Sequence, residues 1–359
     1  MAGLDQVPAP LQNSLPQLKA EATMIAPTIA VIIPFFQRQT GILGRALASI
    51  ANQHYPADSL YVIIIDDGSP ISPAKEWETC PPPAELRIKL LQQPNAGPNE
   101  ARNTGLQNLE PGTQLVAYLD SDDEWVGDHL ARAVSTLSNN FNAYFANLFH
   151  LGDTTNEFEK AKRIVPADHP MIGNDPTLRA YQGDMVHQIS TANIIFMPSL
   201  VIDVQTLGQA RFPQAHRHGG GDYLYWMDLI HHGARFAFST IPEVRCGQGI
   251  NMWYGSGWGT GGLAMRIVDE ARFRRKVLHV YARTKATKAS LRKRLTELQT
   301  SMVQDIVHRA RHGKSTHWKT VFIYFRENPP NFSMAASLFT LAWNMSFHRD
   351  QTNVKSDRR

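Results

Sequence analysis

The sequence predicts an α/β protein built on an open, mostly parallel sheet. Two observations carry this expectation. Apolar runs of strand length alternate with helix-period segments from residue 28 to residue 119. Three short segments, 34–35, 66–67 and 120–123, sit at the carboxyl ends of such runs. Runs apolar on both faces suit strands buried on both sides. Helical segments between them suit right-handed crossovers. Ligands in open sheets of this kind bind beyond the carboxyl ends of the strands, so the three segments are expected on one edge.

The first strand is expected at 28–33, closed by Pro34. A helix follows at 41–53, where Leu43, Ala46, Leu47 and Ile50 recur on one face. Strands are expected at 61–65 and 87–92, a helix at 98–108, and a fourth strand at 114–119 running into Asp120. Beyond that, 142–149 and 192–197 read as strands and 219–233 as a helix. From Asp269 the pattern is helical, with Leu291, Leu295, Leu298, Met302 and Ile306 as an apolar stripe. The expected organisation is a flexible tail over 1–27, an α/β domain over 28–268 and a helical, basic region over 269–359.

Two cysteines in 359 residues make no disulfide framework, and a reducing cytoplasm fits best. The net charge of +4 is uneven: residues 271–320 carry fourteen Lys/Arg against Glu297 and Asp305. An uncharged run of sixteen residues, 332–347, is too short to span a bilayer easily. Together they suggest a peripheral membrane contact. Nucleic acid is not expected, because no nucleic-acid module accompanies the basic segment.

Asp120-Ser121-Asp122-Asp123 places three carboxylates in four residues at a strand end. Their repulsion is relieved by a cation. Mg²⁺ or Mn²⁺ would take these hard oxygens and leave positions for phosphate. The alternative is a cap for a helix starting near Gly127. Asp66-Asp67-Gly68-Ser69 follows another buried strand and is either a ligand carboxylate or an ordinary turn. Gly97-Pro98 opens a helix whose first turns carry Arg102, facing an anion or simply the solvent. Asp222, after Gly219-Gly220-Gly221, is a candidate general base or a helix cap. The pattern Gly257 to Gly262 formally fits a dinucleotide loop, but no buried strand leads into it. His216, His218, His231 and His232 complete no metal-ligand spacing.

These motifs in this order resemble the family 2 glycosyltransferases. The match runs through Val31 to Pro34, Asp66 to Ser69, Asn95 to Gly105 and Leu119 to Trp125, within about 28–230. The resemblance implies a GT-A fold and inverting transfer from a UDP-sugar, with UDP-glucose the expected donor. It implies a donor site of Pro34, Phe35, Asp67, Asn95, Gly97, Arg102, Asp120, Asp122 and Asp123. Asp67 would meet the uracil, Asp122 would be the principal ligand of Mn²⁺ or Mg²⁺, and Asp120 would assist. Asp222 would be the catalytic base, although the family's usual Glu-Asp reads Gly221-Asp222 here. The segment 249–262, with Trp253, Ser256 and Trp258, would be a loop closing over the donor. The chain is also similar to bacterial exopolysaccharide glucosyltransferases of the succinoglycan type. That implies a lipid-linked or soluble saccharide acceptor and a place at the inner face of the plasma membrane. The rival readings are a non-catalytic nucleotide-sugar or carbohydrate-binding protein and a sugar nucleotidyltransferase. The latter would need a glycine-rich loop where Pro34 to Arg38 stands.

Overall fold

The computed structural model describes residues 26–214, 216, 219–247 and 257–329. Ten strands in this part form one mixed sheet: β1 (Ile29–Phe35), β2 (Leu60–Asp66), β3 (Arg87–Gln92), β4 (Leu115–Tyr118), β5 (Glu124–Trp125), β6 (Ala143–Phe149), β7 (Met171–Ile172), β8 (Asp175–Ala180), β9 (Val201–Asp203) and β10 (Phe236–Arg245). The order is β3-β2-β1-β4-β9-β6-β10-β8-β7, with β5 paired to β10. The half from β3 to β4 is parallel. β9 then runs antiparallel to both β4 and β6. The chain leaves β1 toward β3 on one side and returns to β4 on the other. Such a reversal leaves a crevice at the strand ends.

Side-chain alternation along β1 explains its unbroken apolarity. Ile29, Val31, Ile33 and Phe35 enter one core layer, while Ala30 and Ile32 enter the other. Each aliphatic buried this way contributes about 1.5–3 kcal/mol. Pro34 fits because Ile32 and Pro34 both face β4, and the β1–β4 register stops at Ile32 and Tyr118. The missing N–H therefore breaks no ladder bond. The helix Leu43–Ala51 has no capping side chain of its own, and buried Glu76 accepts from the Leu43 and Gly44 amides instead. The helix Pro98–Gln107 lies close on β1 because position 105 is glycine. A Cβ there would sit 2.7 Å from Ile32 Cγ2.

The expected strand at 192–197 does not form. Asn193 bonds the backbone of Ile195 in both directions, at 3.1 and 2.7 Å. Such local pairing competes with a sheet ladder, and Pro198 lacks a donor. The strand is displaced to Val201–Asp203. The long strand β10 was not expected from the sequence; Pro242 and two register shifts interrupt its pattern.

Helix Leu263–Lys276 passes without a break through residue 269 and continues as a π turn, Val277–Tyr281. The helices Lys285–Arg311 and Trp318–Glu327 follow. Leu291, Leu298 and Met302 of the stripe are buried, with Leu295 and Ile306 packed alongside. Much of the basic segment is internally paired: Arg272 and Arg275 with Glu327, Arg274 and Arg294 with Glu270, and Arg309 with Asp305. Among the described residues no helix is long and apolar enough to cross a membrane. The run 332–347 and nearly all of the 1–27 tail lie outside them.

Candidate active site

Four chain segments meet at the crevice beside β1, and short hydrogen bonds stitch them together. Gln37, just past β1, donates its side-chain amide to Ser121 Oγ at 2.9 Å and its backbone N–H to Ser69 Oγ at 3.2 Å. Asp67 sits past β2, with its carboxylate accepting from Gln93 Nε2, Ala96 N and Gly97 N at 2.7–2.8 Å. Asn95 donates to the Asp67 carbonyl at 2.9 Å. Gly97 holds φ +93, a conformation glycine adopts without strain, and opens the helix Pro98–Gln107. Asp67 therefore organises the 93–97 loop as well as facing the crevice.

One polar face of that helix grips the segment before Asp222. Asn103 exchanges two 2.9 Å bonds with the Phe212 backbone. Asn99 donates to the Pro213 and His216 carbonyls at 3.3 and 2.8 Å. Arg102 lies between them and is buried, its guanidinium over the Phe212 ring at 5.5 Å. Nη2 reaches Asp120 at 2.6 Å and Nη1 reaches Asp222 at 3.2 Å. A second brace joins the same elements: Tyr118 on β4 and Tyr225 on the helix Gly221–His231 bring their hydroxyls to 2.6 Å. Phe212 stacks on Tyr225 at 3.7 Å.

The capping alternatives fail on geometry. The helix after the acidic loop starts at His129 with Asp128 as its cap. The cap of the helix bearing Asp222 is Gly220. Asp222 stands one residue inside the helix with its carboxylate turned to Arg102. Gly221, the departure from the family pattern, has a packing reason: a Cβ there would strike the Asn99 side chain. Gly220 packs tightly on Phe273 of the helix Leu263–Lys276, so the C-terminal helices back the turn that leads into Asp222.

Electrostatics single out the acidic loop. Burial, then Asp120 and Asp122, push the Asp123 carboxyl well above the usual range, against the pull of the Gly247 amide (2.8 Å from Oδ1) and Arg102. Burial and the same three aspartates push the Cys246 thiol far up. Burial also raises Asp222, Arg102 opposes it, and Asp120 adds to it. The Asp222 side chain remains 43% accessible, so water tempers that push. Among the described residues no group of three His, Cys, Asp or Glu side chains could hold a metal by itself.

A cavity of about 810 Å³ collects these groups. Pro34, Phe35, Asp67, Asn95, Gly97, Arg102, Asp120, Asp122, Asp123 and Asp222 all line it. Phe35 is fully buried and belongs to the core layer beneath the cavity floor. Trp258, expected over the donor, is not brought there; it leans on His308, with ring centroids 5.6 Å apart. Trp253, Ser256 and His218 lie outside the described residues. Sequence reading missed His150, Glu157 and Arg163, which share one ion-pair cluster on the cavity wall, and also Asn193. They are isolated residues on long-range segments, and no local pattern marks them.

The model of the family described as "Glycosyl transferase family 2" matches residues 30–201. An N-acetylglucosaminyltransferase of Bradyrhizobium elkanii is 33% identical over 134 residues, covering 36% of this chain and 68% of that protein. The chain belongs to glycosyl transferase family 2. It is a glycosyltransferase. The succinoglycan biosynthesis protein ExoW of Rhizobium meliloti (strain 1021) is 29% identical over 235 residues, covering 63% of this chain and 70% of that one. Two solved structures share the GT-A fold. The mannosyltransferase PcManGT of Pyrobaculum calidifontis, in complex with GDP-Man and Mn²⁺, has TM-score 0.51 and 17% identity over 92% of this chain and 83% of its own. Staphylococcus aureus TarS 1-349 with UDP-GlcNAc has TM-score 0.52 and 16% identity over 79% and 72%. The matched family range stops short of Asp222.

Two substitutions test this construction. Arg102→Met should cost about 1–3 kcal/mol in a denaturant titration. The cost stays below that of a fully buried pair because Asp120 and Asp222 keep 31% and 43% of their side chains accessible. Arg102 is the group that lowers Asp222, so its loss raises the Asp222 pKa. Transfer that needs the carboxylate should then fall away at a higher pH than in the parent. At Gly247 a Cβ would collide with the Asp122 carbonyl oxygen. Backbone cannot rotate aside as a side chain can, so Gly247→Ala should cost about 1–3 kcal/mol by the same titration and weaken nucleotide binding.

Proposed function

We propose that this glycosyltransferase inverts the anomeric centre as it moves a hexose, glucose first among candidates, from a UDP-sugar to a saccharide acceptor in polysaccharide assembly. The observation that carries the reading is Arg102, which bonds Asp120 from the donor strand and Asp222 from the opposite helix inside one cavity. The nucleotide would lie over Pro34, Phe35, Asp67, Asn95 and Gly97. Asp67 Oδ2 accepts one protein donor and has a lone pair left for the uracil N–H.

The acidic loop fits a divalent cation. Its donors are hard carboxylate oxygens, and a cation would relieve the crowding that raises Asp123. Asp122 would hold it with help from Asp120, and diphosphate and water would complete the set, since no group of three His, Cys, Asp or Glu side chains gathers there among the described residues. The ion would supply charge neutralisation for the leaving diphosphate. A complex with GDP-Man and Mn²⁺ in the fold relative PcManGT supports this assignment.

Asp222 would act as base. Oδ1 is held by Arg102, and Oδ2 has no hydrogen-bond partner among the described residues. Oδ2 would take the proton of an acceptor hydroxyl, whose oxygen attacks the anomeric carbon opposite the departing UDP. An α-linked donor then gives a β-linked product. The relation to the succinoglycan biosynthesis protein supports a role in polysaccharide assembly; the acceptor proposed with it is lipid-linked, at the cytoplasmic face of the membrane.

The test is a screen of UDP-glucose, UDP-galactose, UDP-N-acetylglucosamine and GDP-mannose with Mn²⁺ or Mg²⁺, with and without chelator. UDP release that requires metal is expected. Preference for GDP-mannose, or equal rates in chelator, would overturn the donor or metal assignment. UDP binding with no turnover across acceptors would instead identify a binding protein.

A further inference from the structure

The three most exposed large apolar side chains among the described residues are Phe322 (67%), Trp318 (65%) and Trp258 (56%). Exposed apolar residues scattered singly are ordinary, but these three are all aromatic and share one end of the C-terminal helices. Trp318 and Phe322 are four residues apart on the helix Trp318–Glu327, hence on one face. Val321 and Tyr324 of the same helix are buried against the other C-terminal helices and anchor it there. The segment carrying Trp258 is tied to the start of this helix. Lys314 Nζ donates to the Gly259 carbonyl at 3.2 Å, and a Cβ on Gly261 would lie 3.7 Å from His317 Nε2.

Charge at this end has one sign. From Ile306 to Arg326 there is no Asp or Glu, and Arg311, Lys314, Lys319 and Arg326 are exposed. The nearest acids are occupied, Asp305 by Arg309 and Glu327 by Arg272 and Arg275. Aromatic rings flanked by cations with no acids match the interface of an anionic bilayer, where rings enter the headgroup layer and cations meet phosphate. Eleven residue steps lead from Gly247, bonded to Asp123, to Trp258. At about 3.3–3.6 Å per residue the chain places this end within roughly 40 Å of the acidic loop.

We propose that the aromatic and basic end formed by Trp258, Trp318 and Phe322 with Lys314 and Lys319 docks the enzyme on an anionic lipid surface. This rests on the membrane-facing reading above and names the surface that does it, independently of the 332–347 run. The test is co-sedimentation of the full chain with phosphatidylcholine vesicles, with or without phosphatidylglycerol, in the absence of sugar substrates. The parent should bind the anionic vesicles and weaken with salt. Trp318→Ser with Phe322→Ser should weaken binding at least about tenfold, and Lys314→Glu with Lys319→Glu should weaken it at low salt only.

Donor hydrolysis without lipid should be unchanged in both variants, which controls for folding and separates this proposal from the catalytic one. Equal vesicle binding by parent and aromatic variant would overturn it. So would a parent that binds no anionic vesicle. A parent that self-associates without lipid, and loses that association in Trp318→Ser with Phe322→Ser, would show the end to be a contact between copies and overturn it as well.

Discussion

Asp222→Asn is expected to lower transfer by about 10²–10⁴-fold, the range for removing a general base, while UDP binding changes little. Asparagine keeps an oxygen for Arg102 Nη1, so the contact from helix to helix survives. What is lost is proton acceptance at the second oxygen. The residue stands on the helix Gly221–His231 rather than on the strand ends that carry Asp67 and Asp120 to Asp123. Nucleotide affinity, measured by calorimetry with UDP and Mn²⁺, should therefore stay within a few-fold of the parent. The pH profile gives a second readout. Burial and Asp120 raise Asp222 more than Arg102 lowers it. The parent's activity should thus fall off, as pH drops, at a higher pH than an ordinary aspartate would give, and the residual activity of Asp222→Asn should lack that limb. Normal transfer by the variant would sink the base assignment.

The strand ends were legible in the sequence because local rules determine them. A run apolar on both faces reads as a buried strand, so β1, β2 and β4 fall within two residues of expectation, and the edge strand β3 forms where expected. The residues just after them, Asp67 and Asp120, had nowhere to go but the sheet edge. Arg102 was legible only as a possibility. On a helix with so few apolar residues it reads equally as a surface cation; what buries it is the 212–216 segment, held by Asn99 and Asn103 from more than a hundred residues away. No periodicity reports such a contact. The failure at 192–197 has the opposite cause. There the pattern was apolar enough for a strand, but one asparagine side chain satisfied the backbone locally. Trp258 shows the limit of composition: tryptophan suits a sugar face and a lipid interface alike, and its neighbours, His308 and the 314–317 segment, decide between them.

Asp122→Ala should weaken UDP binding about 10- to 100-fold with Mn²⁺ present, equivalent to about 1.5–3 kcal/mol for one charge-assisted contact. The informative comparison is the same pair of proteins in chelator. A carboxylate that acts through a cation repels diphosphate once the cation is gone, so the parent should then bind no better than the variant. A carboxylate that merely shapes the loop would leave the same deficit in both conditions. Asp123→Asn provides the contrast. Its oxygen accepts from the Gly247 amide, and burial with Asp120 and Asp122 pushes its carboxyl up, so an amide should keep the bond and relieve that repulsion. A metal-independent loss in Asp122→Ala, or a larger metal-dependent loss in Asp123→Asn, would move the metal assignment from Asp122 to its neighbour. Metal-dependent binding lost only at Asp122 would leave Asp123 as the residue that ties the loop to the 247 turn.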